Sequence, residues 1–491
     1  MRKVYSVILM VCFLLSLVLC GCKEAPKEDV VISKNNPDQE EIFMEENEET
    51  LNTDSISVSR NDTFKSTDGS VEFTWDVDFQ AENLTFPVIE TSPYFIQGSD
   101  AQRITSVLFG DAVFYGVAPE TKHQYSKSEL QKKIQILSPY ANEESLVELM
   151  GDEANLEQLQ IRLNQYNTQL ESAPDENPHA ICDWELHKDN YYWDGLHSSQ
   201  AYGMDTLIAT AQIDGRDYMV SLMNHDGDDY QDSSIEVRIG DGMPDTYLEN
   251  RLQRIELCRT EKPTQEQVNR AVEKTMNYVN QMELGEYQLS EVYVSKEVQD
   301  DDLYSIVVDA VPAYEGSRVI RGASNQRIIP MDNYDSEYAM TKVRFEFNAN
   351  AELLYFSMVG LTKEEAVINN NTKPLPIDDV IAKAQNHLSL YDAEAMDIFT
   401  ADAMFLEFTT GRSRDSLDCK VTITGMDYGL GRIQKADSDN LYYVPAVMLE
   451  GTIDWYDKAS GELVTGTGLS NRGGKRVRTL VMINAVDGSI I

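Results

Sequence analysis

The sequence predicts an α+β protein: an N-terminal α+β domain with a helical insertion, followed by two tandem modules, each a helix laid on an antiparallel sheet. Three observations carry that expectation. Val71, Phe73, Trp75, Val77 and Phe79 stand at a strict spacing of two, with Glu72, Thr74, Asp76 and Asp78 between them, which is the pattern of a half-buried antiparallel strand. Asp214-Gly215 lies between two apolar runs, and such a pair supplies the positive φ that both central residues of a tight hairpin need. Finally, an order of helix, strand, strand, strand begins after Pro263 and returns after Pro374, although the residues at matching places differ. One helix over one face is how an antiparallel sheet with a single apolar face is buried.

In chain order, residues 22–70 read as an acidic tether. Blocks such as Asp38-Gln39-Glu40-Glu41 and Glu45 to Thr50 carry too little apolar surface to offset the entropy of ordering them. A flexible segment of this length spans roughly 35 to 40 Å. The N-terminal domain is expected over 71–260, opening with the alternating strand and an extended stretch from Pro87 to Ile96. A short helix follows, with Ser99 placed to cap it. The helical insertion, 126–172, is signalled by Leu146, Leu149, Leu156, Leu159, Ile161, Leu163 and Tyr166 at spacings of three and four. Gly151 interrupts that run and Pro174 closes it. Its apolar stripe serves either to pack on the neighbouring sheet or as a coiled-coil surface. Strand signals resume at Trp184 and strengthen over 206–212, 218–223 and 234–239.

The first module, 263–360, begins with a capping box of Thr264 and Gln267 ahead of a stripe of Val268, Ala271, Val272, Thr275, Met276 and Val279. Extended runs follow at 287–294, 303–311, 339–347 and 352–359. The second module, 374–491, follows the polar stretch Asn369 to Pro374. Its helix rests on Ile377, Val380, Ile381, Ala384 and Leu388, and strands are expected at 404–408, 419–426, 441–455 and 477–486.

Residues 1–21 read as a targeting segment. Arg2 and Lys3 give it a positive start, and Val4 to Leu19 is an apolar run shorter than the roughly 20 residues of a spanning helix. It ends in Leu19-Cys20-Gly21-Cys22, which resembles a bacterial lipobox. The resemblance implies a lipoprotein signal peptide recognised through Leu19 and Gly21, and cleavage before Cys22. Cys22 would then be the lipid attachment residue, carrying palmitate-type chains. Two or more chains give stable anchoring, so the expected location is the extracytoplasmic face of the cell membrane.

The 491 residues carry a formal charge of −42, and loss of Arg2 and Lys3 makes the mature chain more negative still. Such a surface repels nucleic-acid phosphates and anionic headgroups, which excludes nucleic acid as a partner and a basic patch as the route to the membrane. Of six cysteines, Cys182, Cys258 and Cys419 remain after processing and acylation. Three widely spaced thiols are no disulfide framework, leaving either one bridge or three small buried hydrophobes.

Tyr443-Val444-Pro445-Ala446-Val447 leading into a strand, and the closing Ile483-Asn484-Ala485-Val486-Asp487-Gly488-Ser489-Ile490, resemble the end of PepSY-like and cystatin-like modules, where a last strand runs into an Asp-Gly turn. The likeness covers Pro263 to Ile491. Tandem modules of this kind occur in YycH and YycI, extracytoplasmic regulators of a Gram-positive cell-wall sensor kinase, and the whole chain is similar to clostridial membrane lipoproteins. Those regulators use a transmembrane helix where this chain has Cys22, so their partner is not carried over.

Motifs for chemistry are sparse. Gly468 to Lys475 is glycine-rich, yet five residues separate Gly468 from Gly474 and Arg476 stands where a P-loop needs Ser or Thr. No Gly-x-Ser-x-Gly elbow or His-Glu-x-x-His zinc helix occurs. His179, Cys182, His187 and His197 are zinc-type donors in no compact spacing. Asn224, Asp226, Asp228, Asp229 and Asp232 gather oxygen ligands around Gly227, but Leu222 and Ser233 fall on the first and last ligand places of an EF-hand. No catalytic residue, metal site or cofactor is therefore expected. The expected role is a non-enzymatic binding or regulatory module acting on an envelope protein partner, and the alternative is a cell-surface hydrolase or solute-binding lipoprotein.

Overall fold

A computed structural model describes residues 55–82, 86–116, 125–142, 146, 156–176, 179–187, 204–226, 231–240, 247–296, 303–320, 342–393, 396, 411–434, 441–466 and 478–491. The chain begins with strands β1 (Ser55–Arg60), β2 (Thr63–Lys65), β3 (Val71–Trp75), β4 (Val77–Glu82) and β5 (Val88–Pro93). Next come α1 (Gly98–Phe109), β6 (Tyr115–Gly116), α2 (Lys127–Leu137) and α3 (Leu156–Leu170), then β7 (Met204–Ile213), β8 (Arg216–Asp226) and β9 (Gln231–Ile239). Helices α4 (Tyr247–Cys258) and α5 (Gln265–Met282) lead to β10 (Glu286–Lys296), β11 (Tyr304–Tyr314), β12 (Ser317–Arg318), β13 (Lys342–Phe347), β14 (Leu353–Val359) and β15 (Thr362–Asn369). The rest is α6 (Ile377–Leu388), β16 (Leu417–Gln434), β17 (Leu441–Asp457), β18 (Leu463–Gly466) and β19 (Arg478–Asn484). The fold is α+β and dominated by sheet.

The nine-stranded sheet runs β10-β11-β13-β14-β9-β8-β7-β6, with β12 on β11. An eight-stranded sheet runs β15-β5-β17-β16-β3-β2, with β18 and β19 on β17, and β1 and β4 form a separate ribbon. Helices α1 to α5 all contribute to the core of the nine-stranded sheet, through Ile104, Leu130, Leu159, Ile255 and Val279 among others. Helix α6 supplies Val380, Ile381, Ala384 and Leu388 to the core of the eight-stranded sheet.

The sheets do not respect the linear boundaries the sequence suggests. β9 and β14 pair antiparallel from Ser234↔Val359 to Arg238↔Tyr355, so residues 71–260 and 263–360 share one sheet and no domain boundary falls at 260–263. Each meander ends on a strand with an open edge, and the two edges satisfy each other. The module expected at 374–491 is likewise not self-contained. β16 pairs with β3 in parallel, Cys419↔Val71 to Ile423↔Trp75, and β5 lies between β15 and β17. Residues 55–93 thus belong with 362–491, and everything between them is inserted where β5 leaves and β15 returns.

Local patterns fared better than boundaries. Ser126 caps α2 with its hydroxyl on the Glu129 N–H at 3.3 Å, and Thr264 N donates to Gln267 Oε1 at 2.8 Å at the start of α5. Asp214 and Gly215 take φ of 48° and 78° in the β7–β8 hairpin. The cap of α1 sits at Gln97 rather than Ser99, with the Gln97 N–H donated to Asp100 Oδ2 at 2.9 Å. Trp184 opens no strand: its φ is 62°, and its carbonyl crowds Gly98, where a Cβ would fall 1.6 Å away. The expected strand 404–408 lies outside the described residues.

Two further corrections concern the N-terminal end. The tether expected to reach residue 70 gives way to ordered strand at Ser55. The alternating run 71–79 is not one strand but two: the Asp76 N–H is donated to Ile423 O at 2.8 Å, after which β4 turns away to join β1. Because the alternation continues through the break, Val71, Phe73, Trp75 and Val77 all remain in the same core, and the pattern alone carries no sign of it.

Candidate partner-binding site

Leu19, Gly21 and Cys22 lie outside the described residues, as do His197, Asp228, Asp229 and 467–477. Among the described residues, no helix is long and apolar enough to cross a membrane, and no three His, Cys, Asp or Glu stand close enough to hold a metal ion. Burial pushes the Cys182 thiol up, away from the thiolate that zinc needs. Asn224 is committed to packing, donating from Nδ2 to Ile96 O at 2.8 Å and accepting from Ser233 Oγ at 2.6 Å. Cys182, Cys258 and Cys419 are all buried and none of them is in a disulfide, which decides between the two readings in favour of small core side chains.

The surface best suited to a partner lies between β1 and α6. A cleft of about 600 Å³ is lined by Ser57, Val58, Ser59 and Arg60 on one side and Ile381, Ala382 and Gln385 on the other. Four consecutive residues of β1 border it, so the strand's backbone edge faces the opening and not just one row of its side chains. Among the described residues β1 pairs only with β4, which leaves the N–H and C=O groups of its second edge open to an added strand. Arg60 fixes the floor: its guanidinium lies 4.7 Å from the Trp75 ring centre, Nη2 donates to Gln385 Oε1 at 2.9 Å, and Nε donates to Asp62 Oδ1 at 2.8 Å. The far end of α6 is held by Thr67, whose N–H is donated to Ser389 O at 2.7 Å.

No family model, curated protein or solved structure matches this chain. The case for a site therefore rests on geometry.

Among the described residues, buried carboxylates also come together at the seam between the two sheets. There the Tyr314 and Tyr443 rings stack at 5.2 Å, with the Tyr314 hydroxyl 2.9 Å from Thr362 Oγ1. The Ile320 N–H is donated to Leu430 O at 2.9 Å. Arg318 Nη2 donates to Asp427 Oδ1 at 2.5 Å, and at Gly429 an added Cβ would meet Arg318 O at 2.5 Å. Burial, reinforced by Asp427 and Glu291, pushes Glu450 up to about 7, with Arg318 opposing. The arrangement is a structural contact: Asp427 is tied to Arg318, and none of the clefts described here opens onto it.

A pH dependence follows. A carboxyl whose pKa is higher in the folded chain favours folding only while protonated, so its contribution is lost as pH rises from the unfolded value through about 7. Glu450→Gln is therefore expected to stabilise the protein by about 2–3 kcal/mol near pH 8 and to leave it unchanged near pH 4. Urea midpoints at the two pH values measure this. Equal midpoints for variant and parent at the higher pH would contradict it.

Proposed function

We propose that the chain is a non-enzymatic binding module, held at the extracytoplasmic face of the cell membrane by lipid on Cys22, that engages an envelope protein by adding one of its extended segments to β1. The open edge of β1 beside α6 carries this reading. Main-chain bonds would supply affinity, and Val58, Ile381 and Ala382 would set which side chains fit. The recurrence of helix followed by meander at 265–359 and 377–484 supports likening these stretches to PepSY-like modules of envelope regulators, with sheets completed by strands from elsewhere in the chain.

A photo-crosslinking residue placed at Ser57, in cells, is expected to capture one envelope protein, and Ala382→Trp, which fills the cleft, is expected to abolish the adduct. Capture that survives Ala382→Trp, or no capture together with turnover of a wall glycan or peptide by the chain, would overturn the reading. The anchor is tested separately. Cys22→Ala should release the protein from the membrane fraction and leave it without the mass of the acyl chains, whereas retention at unchanged mass contradicts the lipobox.

A further inference from the structure

We infer that the segment accepted by β1 is a basic one, an extended stretch whose apolar side chains turn toward α6 and whose alternate, outward side chains are Lys or Arg. This rests on the β1 reading and adds to it the chemistry of the partner. The walls of the cleft set the length. Ser57 to Arg60 of β1 extend about 13 Å at the usual strand rise, and Asp378 to Asn386, the stretch of α6 bordering the same cleft, rises about 12 Å. Both walls match an added stretch of about four residues.

Strand alternation sends the two faces of an added segment to different surroundings. In β1, Val58 is buried while Ser57 and Ser59 are exposed, so one row of the segment's side chains lies with Val58 and the other with the serines. The first row meets Ile381 and Ala382 across the cleft, an apolar wall. The second row meets charge. On β4, Asp78 stands opposite Ser59 and Glu82 opposite Ser55, and both carboxylates are exposed. Neighbouring strands lie about 4.8 Å apart, which puts β4 about 10 Å from an added strand, across serines too short to shield it. A Lys or Arg is long enough to lean over a serine and close most of that gap, whereas an Asp or Glu there would face like charge.

The cations nearby do not cancel this charge. Arg60 borders the cleft, but Asp62 matches it at 2.8 Å. Lys383, on α6, has its stem packed over Gly488, away from the wall formed by Ile381 and Ala382. Asp378 adds a third carboxylate at the lip of the cleft, and Asp78, Glu82 and Asp378 make no ion pair among the described residues. The formal charge of −42 acts in the same direction at longer range. Carboxylates alone would be an ordinary acidic surface. Their place beside an open strand edge and an apolar wall is what selects an alternating, basic segment.

Photo-crosslinking from Ser57 in cells, with the captured peptide sequenced by mass spectrometry, provides the test. The captured segment is expected to carry Lys or Arg at alternate positions. Asp78→Lys combined with Glu82→Lys should cut the adduct about tenfold or more, because like charge then faces the segment. The same change in net charge made by Glu157→Lys with Glu171→Lys, at exposed positions on α3 and in the turn after it, should leave the yield unchanged. A captured segment without basic residues overturns the inference and leaves the β1 reading standing. So does an adduct that Ala382→Trp abolishes but that reversal on β4 does not reduce, or that both reversals reduce equally. No adduct, or one that survives Ala382→Trp, overturns both. The captured sequence is read with β4 unaltered, so it stands even if the charge-reversed variant fails to fold.

Discussion

Asp309→Ala is expected to destabilise the protein by about 3–5 kcal/mol. Asp309 sits in the middle of β11, fully buried, directly across from Arg344 on β13. Arg344 Nε donates to Oδ1 and Nη2 to Oδ2, both at 2.7 Å, the two-pronged geometry that repays desolvation of both charges. Burial alone would lower the pKa of Arg344, yet Asp309 holds it above the ordinary arginine value. Removing Asp309 strands a guanidinium whose side chain is only 16% exposed. Replacing both residues, Asp309→Leu with Arg344→Met, should recover most of the loss, because an apolar cross-strand pair carries no desolvation penalty. Urea denaturation of both single variants and the double variant measures the coupling, and a loss below about 1 kcal/mol for Asp309→Ala would place the pair among weak surface bridges instead.

Trp75→Ala is expected to lose a similar amount, about 3–5 kcal/mol, and to reach the β1 cleft as well. The ring is completely buried, lies 6.3 Å from Phe64, and ends β3 opposite Ile423. It also carries Arg60 on its face. Without it the guanidinium loses a cation–π contact and the packing beneath it, so the contact to Gln385 should loosen. Phe64→Ala, at a half-buried position that leaves the Trp75 ring in place, should have a smaller effect on both. Hydrogen exchange in β1 reads the second consequence: faster exchange in Trp75→Ala with little change in Phe64→Ala is expected, and equal exchange in both would detach the cleft from the tryptophan.

The elements were more legible than their assembly. Helix α5 could be read from Thr264, Gln267 and an apolar stripe because capping and periodicity act within a few residues. Strand β15 could not: Thr362-Lys363-Glu364-Glu365 carries its charges on an edge, where solvent tolerates them. β1 was hidden for a related reason, since Ile56 and Val58 are its only aliphatic residues and follow an acidic stretch. α4 escaped because Leu252, Ile255 and Cys258 are a thin stripe beside strong strand signals. Sheet neighbours are set by which open edges meet after folding, and nothing in the spacing of Val71 to Phe79 says that β3 will lie beside Cys419. The β1 cleft shares that limit, for it joins Arg60 to Gln385 across 325 positions.

The insertion between β5 and β15 also governs how the chain must come to be. In a polypeptide that emerges from its N-terminus, β1 to β5 come first; β1 can pair with β4 and β2 with β3 at once, but the partners of β5 and the second partner of β3 arrive last. The Thr91 hydroxyl finds Leu441 O 350 positions later. The nine-stranded sheet, whose strands are all contained between those limits, can close before β15 to β19 emerge. β3 and β5 meanwhile keep open edges, slow to mature because such distant pairings must first meet the entropy of loop closure, and exposed to misassociation until then. If lipid on Cys22 anchors the leading end, as proposed, it would hold those waiting strands apart from other chains for that interval.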